Sequence, residues 1–123
     1  RDDVESRGLG DVYKRQTPDC VICNNDSMAL GIIDACKEEN IDLDKLPVLG
    51  IDATANGCEA IENGDMAFTV YQSGKGQGTA AVEAAAHLAK GESTGSMDGV
   101  TDDGKYVWVP FEKVDKSNVS DYK

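Results

Sequence analysis

Short apolar runs alternate with longer stretches of helical periodicity along residues 17–123. Asp19–Asn24 (DCVICN) is a compact apolar run rich in β-branched residues and reads as a buried strand. Met28, Ile32, Ala35 and Cys36 then recur at helical spacing to about Glu38, with Asp26 or Ser27 as the expected N-cap and Asn40 as a left-handed stop. Leu46–Ile51 (LPVLGI) predicts a second strand, and Thr54 caps a helix over Ala55–Glu62 that Asn63-Gly64 ends. Ala67–Gln72 (AFTVYQ) predicts a third strand. The three glycines of Gly74–Gly78 read as a flexible joint, and Thr79–Lys90 as an Ala-rich helix. After a polar connection, Asp102-Asp103-Gly104 signals a tight turn and Tyr106–Pro110 (YVWVP) a last strand. The charged tail from Glu112 is expected to be only partly ordered. This β-α-β-α-β-α order predicts an α/β fold with a parallel, doubly wound sheet.

Composition changes that picture at one end. All three arginines (Arg1, Arg7, Arg15) fall within residues 1–16, which carry four basic and four acidic side chains. The remaining 107 residues hold 8 lysines against 19 acidic residues, and so the whole net charge of −11. Ser6–Gln16 (SRGLGDVYKRQ) can be written residue for residue as a translation of a transposase-type sequencing adapter. Residues 1–16 are therefore set apart as a non-native segment, with the natural chain expected to begin upstream and any signal peptide to be missing. The acidic balance argues against a nucleic-acid groove or an anionic membrane surface as partner.

In open α/β sheets, ligands bind beyond the carboxyl ends of the strands. The first three predicted strands end there in Asn25, Asp52 and Gln72. A carboxylate accepts from two vicinal hydroxyls, and each carboxamide both donates and accepts. The set suits a neutral polyhydroxylated ligand better than a phosphate. The plainer reading makes Asn25 and Asp26 helix caps and Asp52 the cap of the next turn. Cys20 and Cys23 form a C-x-x-C inside a predicted strand, where residues three apart face opposite ways, so buried small hydrophobes are expected rather than a redox or zinc pair. His87, the one histidine, reads as a helix-terminus or surface residue. Gly74–Gly78 lacks the rest of a phosphate loop, and Asp102-Asp103 lacks the other ligands of a calcium loop. Tyr71 is expected to face away from Gln72 into the core, and Trp108 to pack in a core or lobe contact in preference to serving as a sugar platform.

Val21–Gly31 (VICNNDSMALG), Pro47–Ala53 (PVLGIDA) and Val107–Asn118 (VWVPFEKVDKSN) resemble the galactose/glucose-binding type I periplasmic proteins of ABC sugar importers. The resemblance implies the incomplete C-terminal part of a bilobed fold: 17–72 in the C-terminal lobe, 73–107 crossing to the N-terminal lobe, and 108–123 returning. It places Asn25 and Asp52 on sugar-binding positions, and Gln72 where these proteins usually have Asn and ribose-type relatives often have Gln. It places Asp19 on a carboxylate that completes a structural calcium site, although the usual residue is Glu and the calcium loop is absent. It further implies a monosaccharide such as galactose or glucose as ligand, ABC permease subunits and a chemotaxis receptor as partners, an extracytoplasmic location and no enzymatic activity. The alternative is the effector domain of a sugar-responsive transcription regulator. A third reading, a doubly wound enzyme or receiver domain with Asp52 as nucleophile or acceptor, lacks a second acidic cluster beside that residue.

Overall fold

The computed structural model describes residues 18–122, so the segment 1–16 lies outside the described residues. Two compact units are distinguished, one of residues up to Tyr71 together with Lys113–Lys123, the other of Gln72–Glu112.

The first unit is built on strands β1 (Val21–Ile22), β2 (Val48–Leu49), β3 (Phe68–Tyr71) and β4 (Glu112–Asp115), adjacent in that order in one sheet. β1 pairs parallel with β2, and β2 with β3, as the alternating order requires. The strands are shorter than the apolar runs that announce them, but backbone hydrogen bonds continue beyond their ends. Cys23 N–H reaches Leu49 O at 2.9 Å, Asp26 N–H reaches Ile51 O at 2.8 Å, and Asp52 N–H reaches Val70 O at 2.8 Å. Helix α1 (Asp26–Glu38) connects β1 to β2, and α2 (Ala55–Asn63) connects β2 to β3. The two helices pack on each other, and Ala29, Ile33, Cys58 and Ile61 share one core with Val48 and Met66.

The element ends follow residue chemistry. Asn25, not Asp26 or Ser27, caps α1: its side chain accepts from Met28 N–H at 2.8 Å. Asp26 is drawn inside instead, because its carboxylate has buried partners. Thr54 caps α2, and Gly64 closes it at φ 85°. Asn40 takes the left-handed conformation at φ 56°.

Three expectations are corrected. The tail is ordered: Lys113–Asp115 lie in β4, Val119–Tyr122 form a 3-10 turn, and Val114 and Val119 are buried in the core. Two apolar anchors in a charged segment suffice for this, and no periodicity reveals them. Tyr106–Pro110 is not a strand; only Val107 forms a bridge, with Val100, across the Asp102–Gly104 turn. Gly74–Gly78 is not a loop but the first turns of α3 (Gly74–Ala89), where the Ser73 hydroxyl accepts from Gly76 N–H at 3.0 Å. The cap and the Ala-rich turns that follow together offset the glycines, which each cost about 1 kcal/mol relative to alanine in a helix interior.

The second unit is thinly packed. α3 has no buried residue, and Val82 and Leu88 are 70% and 66% exposed. Trp108 is 66% exposed and stacks on Tyr106 with ring centroids 6.1 Å apart, so of the expected core or lobe contact the core alternative is not met. His87 stands in the last turn of α3, 3.1 Å from Glu92, which fits its reading as a helix-terminus residue.

The tail also carries a pH-sensitive contact. The Lys113 ammonium lies 2.6 Å from Asp115, whose other oxygen accepts from the Ser117 hydroxyl and amide. Lys113 first, then Ser117, hold the Asp115 carboxyl far below the usual carboxylate range. A depressed native pKa contributes stability that is present above the unfolded value, about 3.9, and is lost as pH falls through the native value. The stability difference between the chain and Asp115→Asn should therefore be largest near neutral pH and shrink below pH 4. Urea unfolding of both at pH 7 and pH 3 reads this; a difference independent of pH would contradict it. Lys113 is exposed and Asp115 only half-buried, so added salt should reduce the effect.

Candidate functional site

Asn25 and Asp52 come together at the carboxyl end of the sheet. The Asp26 amide bonds to Ile51 O, so Asn25-Asp26 and Ile51-Asp52 lie side by side where β1 and β2 run out. The Asp52 amide bonds to Val70 O, two residues before Gln72 in the chain. Gln72 itself is the first residue of the second unit, so the geometry within the first unit brings together Asn25 and Asp52.

Asn25 is a helix cap, whereas the N-cap of α2 is Thr54. The Asn25 side-chain oxygen is the cap of α1, which leaves its NH2 group as the part suited to donate to a ligand. Asp52 does not cap α2, because Thr54 does so through its hydroxyl, 3.1 Å from Gly57 N–H. Asp52 is exposed and has a φ of 110°; Ala53 follows at φ 51°. Two successive non-glycine residues in this region are unusual, and such strain persists only where the surroundings enforce it. An exposed carboxylate on an enforced turn, beside a carboxamide, is arranged to accept from adjacent hydroxyl groups.

Asp26 is a residue that the sequence does not single out beyond capping. It is fully buried. Its Oδ2 accepts from Thr54 N–H at 2.7 Å and from the Thr54 hydroxyl at 3.0 Å, and its Oδ1 accepts from the Thr69 hydroxyl at 2.5 Å. Gly50 and Gly57 face it so closely that a Cβ at either position would overlap the carboxylate. The signal available in the sequence was a polar residue at a helix position facing the core, together with glycines at Gly50 and Gly57.

The remaining candidates separate from this site. Tyr71 packs against the core, with its ring 5.1 Å from that of Tyr122. Cys20 is exposed and Cys23 buried, and both are free thiols on either side of β1; burial pushes the Cys23 thiol up, away from reactive thiolate. Asp19 is exposed. Among the described residues no group of three or more His, Cys, Asp or Glu side chains is placed to hold a metal ion, so a calcium site at Asp19 would need ligands from outside them. Among the described residues no helix is long and apolar enough to cross a membrane.

Comparison with known proteins places this geometry in context. The family described as "Periplasmic binding protein domain" matches residues 6–93, a range that begins inside the segment 1–16. The chain is 35% identical over 102 residues to the D-galactose/methyl-galactoside binding periplasmic protein MglB of Haemophilus influenzae, covering 83% of this chain and 30% of that protein. An ABC transporter solute binding protein of Bacillus halodurans with bound myo-inositol superposes with a TM-score of 0.69 at 36% identity, covering 90% of this chain and 35% of that one. A periplasmic ribose ABC transporter structure from Conexibacter woesei gives a TM-score of 0.68 at 27% identity, covering 90% and 35%. The chain thus spans about a third of the length of the relatives it matches.

Proposed function

The chain belongs to the periplasmic binding protein domain family, and from that premise we propose that it is the C-terminal part of the sugar-binding component of an ABC importer. The observation that carries this is the pairing of Asn25 and Asp52 at the carboxyl end of adjacent parallel strands, with Asp52 exposed on a strained turn. The ligand is a neutral monosaccharide, galactose or glucose, whose vicinal hydroxyls donate to Asp52 and accept from the Asn25 NH2 group. Relatives with galactoside in their names and with inositol or ribose in their descriptions support a polyhydroxylated ring as the ligand class. Gln72, next in the chain after β3, is the third residue assigned to the ligand, on the strength of the sequence resemblance. Hydrogen bonds to a charged acceptor contribute about 1.5–3 kcal/mol each, so two hydroxyls donating to Asp52 are enough to dominate the recognition of an uncharged ligand.

The protein works by binding and release without turnover. Sugar binds the closed arrangement of two lobes better than the open one, and so shifts the population toward it. The closed form docks on the ABC permease, outside the cytoplasm, with a chemotaxis receptor as a further partner.

Calorimetric titration of the intact protein that contains this chain tests the reading. D-Galactose or D-glucose should bind saturably at one site. Binding of myo-inositol or D-ribose alone would move the specificity within the same ligand class. Binding of none of the four would overturn the sugar-receptor reading.

A further inference from the structure

The strain at Asp52 and Ala53 needs a cause, and the described residues supply one. Three backbone N–H groups follow the carboxyl end of β2, and each has a fixed partner. Asp52 N–H bonds to Val70 O at 2.8 Å, Ala53 N–H to the Thr69 hydroxyl oxygen at 3.3 Å, and Thr54 N–H to Asp26 Oδ2 at 2.7 Å. Two of the three acceptors depend on Asp26. The Thr69 hydroxyl has a single hydrogen and donates it to Asp26 Oδ1. That leaves only lone pairs to face Ala53 N–H, so the hydroxyl can act there only as acceptor. The Thr54 hydroxyl repeats the device one step on: it donates to Asp26 Oδ2 and accepts from Gly57 N–H at the start of α2. Asp26 and Thr69 are both fully buried, so water does not compete for these bonds.

We propose that Asp26 is a positioning residue for ligand binding: acting through the hydroxyls of Thr69 and Thr54, it holds the strained Asp52-Ala53 turn in the one conformation that presents the Asp52 carboxylate to a sugar. The inference rests on the reading of Asp52 as a sugar ligand. Without the Asp26 acceptor, the Thr69 hydroxyl is free to turn its hydrogen toward Ala53, and the turn relaxes to negative φ. The cost appears as lost preorganisation, because the ligand must then restore the strained turn on binding. The site of contact and the source of its geometry are thus separate: Asn25 and Asp52 face the ligand, while the neighbouring Asp26 is sealed beneath them.

The test compares Asp26→Asn, Thr69→Val and Thr69→Ser in the intact protein, with D-galactose and D-glucose as probes. Asn at position 26 keeps the shape but turns one acceptor into a donor. Val at position 69 keeps the volume but removes the hydroxyl, and Ser restores it. Asp26→Asn and Thr69→Val should each weaken affinity about tenfold, as expected for one lost hydrogen bond, while Thr69→Ser stays within about twofold of the parent. The strong intraresidue amide–Hα nuclear Overhauser effect that marks positive φ at Ala53 should persist in Thr69→Ser and vanish in Thr69→Val. Ile61→Val, a core truncation at a side chain that makes none of these bonds, should lower stability without changing affinity, which separates positioning from general destabilisation. In the Asp52→Ala background, Thr69→Val should cause no further loss, since both act through one contact. Parent-like affinity in Thr69→Val, or a full additional loss in the double variant, would overturn the proposal. If Asp52→Ala alone leaves affinity unchanged, the ligand reading of Asp52 has failed; the Ala53 signal then decides the turn itself, its loss in Thr69→Val supporting the enforced geometry and its survival refuting it. Should Asp26→Asn fail to fold, the Thr69 pair carries the same decision.

Discussion

Gly57→Ala should destabilise the chain by about 3 kcal/mol, whereas Gly31→Ala should stabilise it by about 0.5–1 kcal/mol. Both glycines lie within helices, Gly31 in the interior of α1 and Gly57 in the first turn of α2. Their surroundings differ. A Cβ at Gly31 would meet nothing within 4 Å, so the substitution only removes backbone freedom from the unfolded chain. A Cβ at Gly57 would overlap the Asp26 carboxylate, which is pinned by Thr54 and Thr69 and has no room to retreat. Relief requires either moving the helix start or breaking buried hydrogen bonds, and both are costly. Chemical denaturation of the parent and the two variants measures the difference directly. Equal shifts would mean that Asp26 is not fixed as described.

Asp52→Ala should weaken binding of galactose or glucose at least tenfold in the intact protein. The substitution removes an exposed carboxylate that accepts from ligand hydroxyls, and a charge-assisted hydrogen bond is worth about 1.5–3 kcal/mol, or more than one order of magnitude in affinity. Alanine also fits the left-handed backbone at φ 110° no better than aspartate does, so little of the effect should come from relieving the turn. Asp52→Asn, which keeps the shape and loses the charge, should fall between the parent and Asp52→Ala. Calorimetric titration of the three proteins reads the series, and an unchanged affinity in Asp52→Ala would remove Asp52 from the binding site.

Much of the first unit was legible in the chain before any coordinates. Thr54, Gly64 and Asn40 each sit where the local rules place a cap or a left-handed stop. Asn25 and Asp52 could be nominated because both end an apolar run at the same edge of a parallel sheet. Elsewhere the local rules pointed the wrong way. The glycines of Gly74–Gly78 argued for a loop, yet Ser73 caps a helix there. The alternating Tyr106–Pro110 had the pattern of a strand but found one bridging neighbour, whereas the charged Glu112–Asp115 became the strand.

The sequence by itself determined the alternation of the first three strands with their two connecting helices, the stop of the first helix and both ends of the second, and the two polar side chains at the rim of the sheet. These depend on neighbours within a few residues, where hydrophobic period and capping chemistry act directly. Only the tertiary structure decided which strand the tail supplies, that Asn25 and not Asp26 is the cap, and that Asp26 binds Thr54 and Thr69 across 28 and 43 residues. A buried carboxylate is stable only with partners already in place, and those partners lie on other segments. The strained turn that carries Asp52 depends on the same contacts, so its geometry exists only once the sheet has brought three segments together.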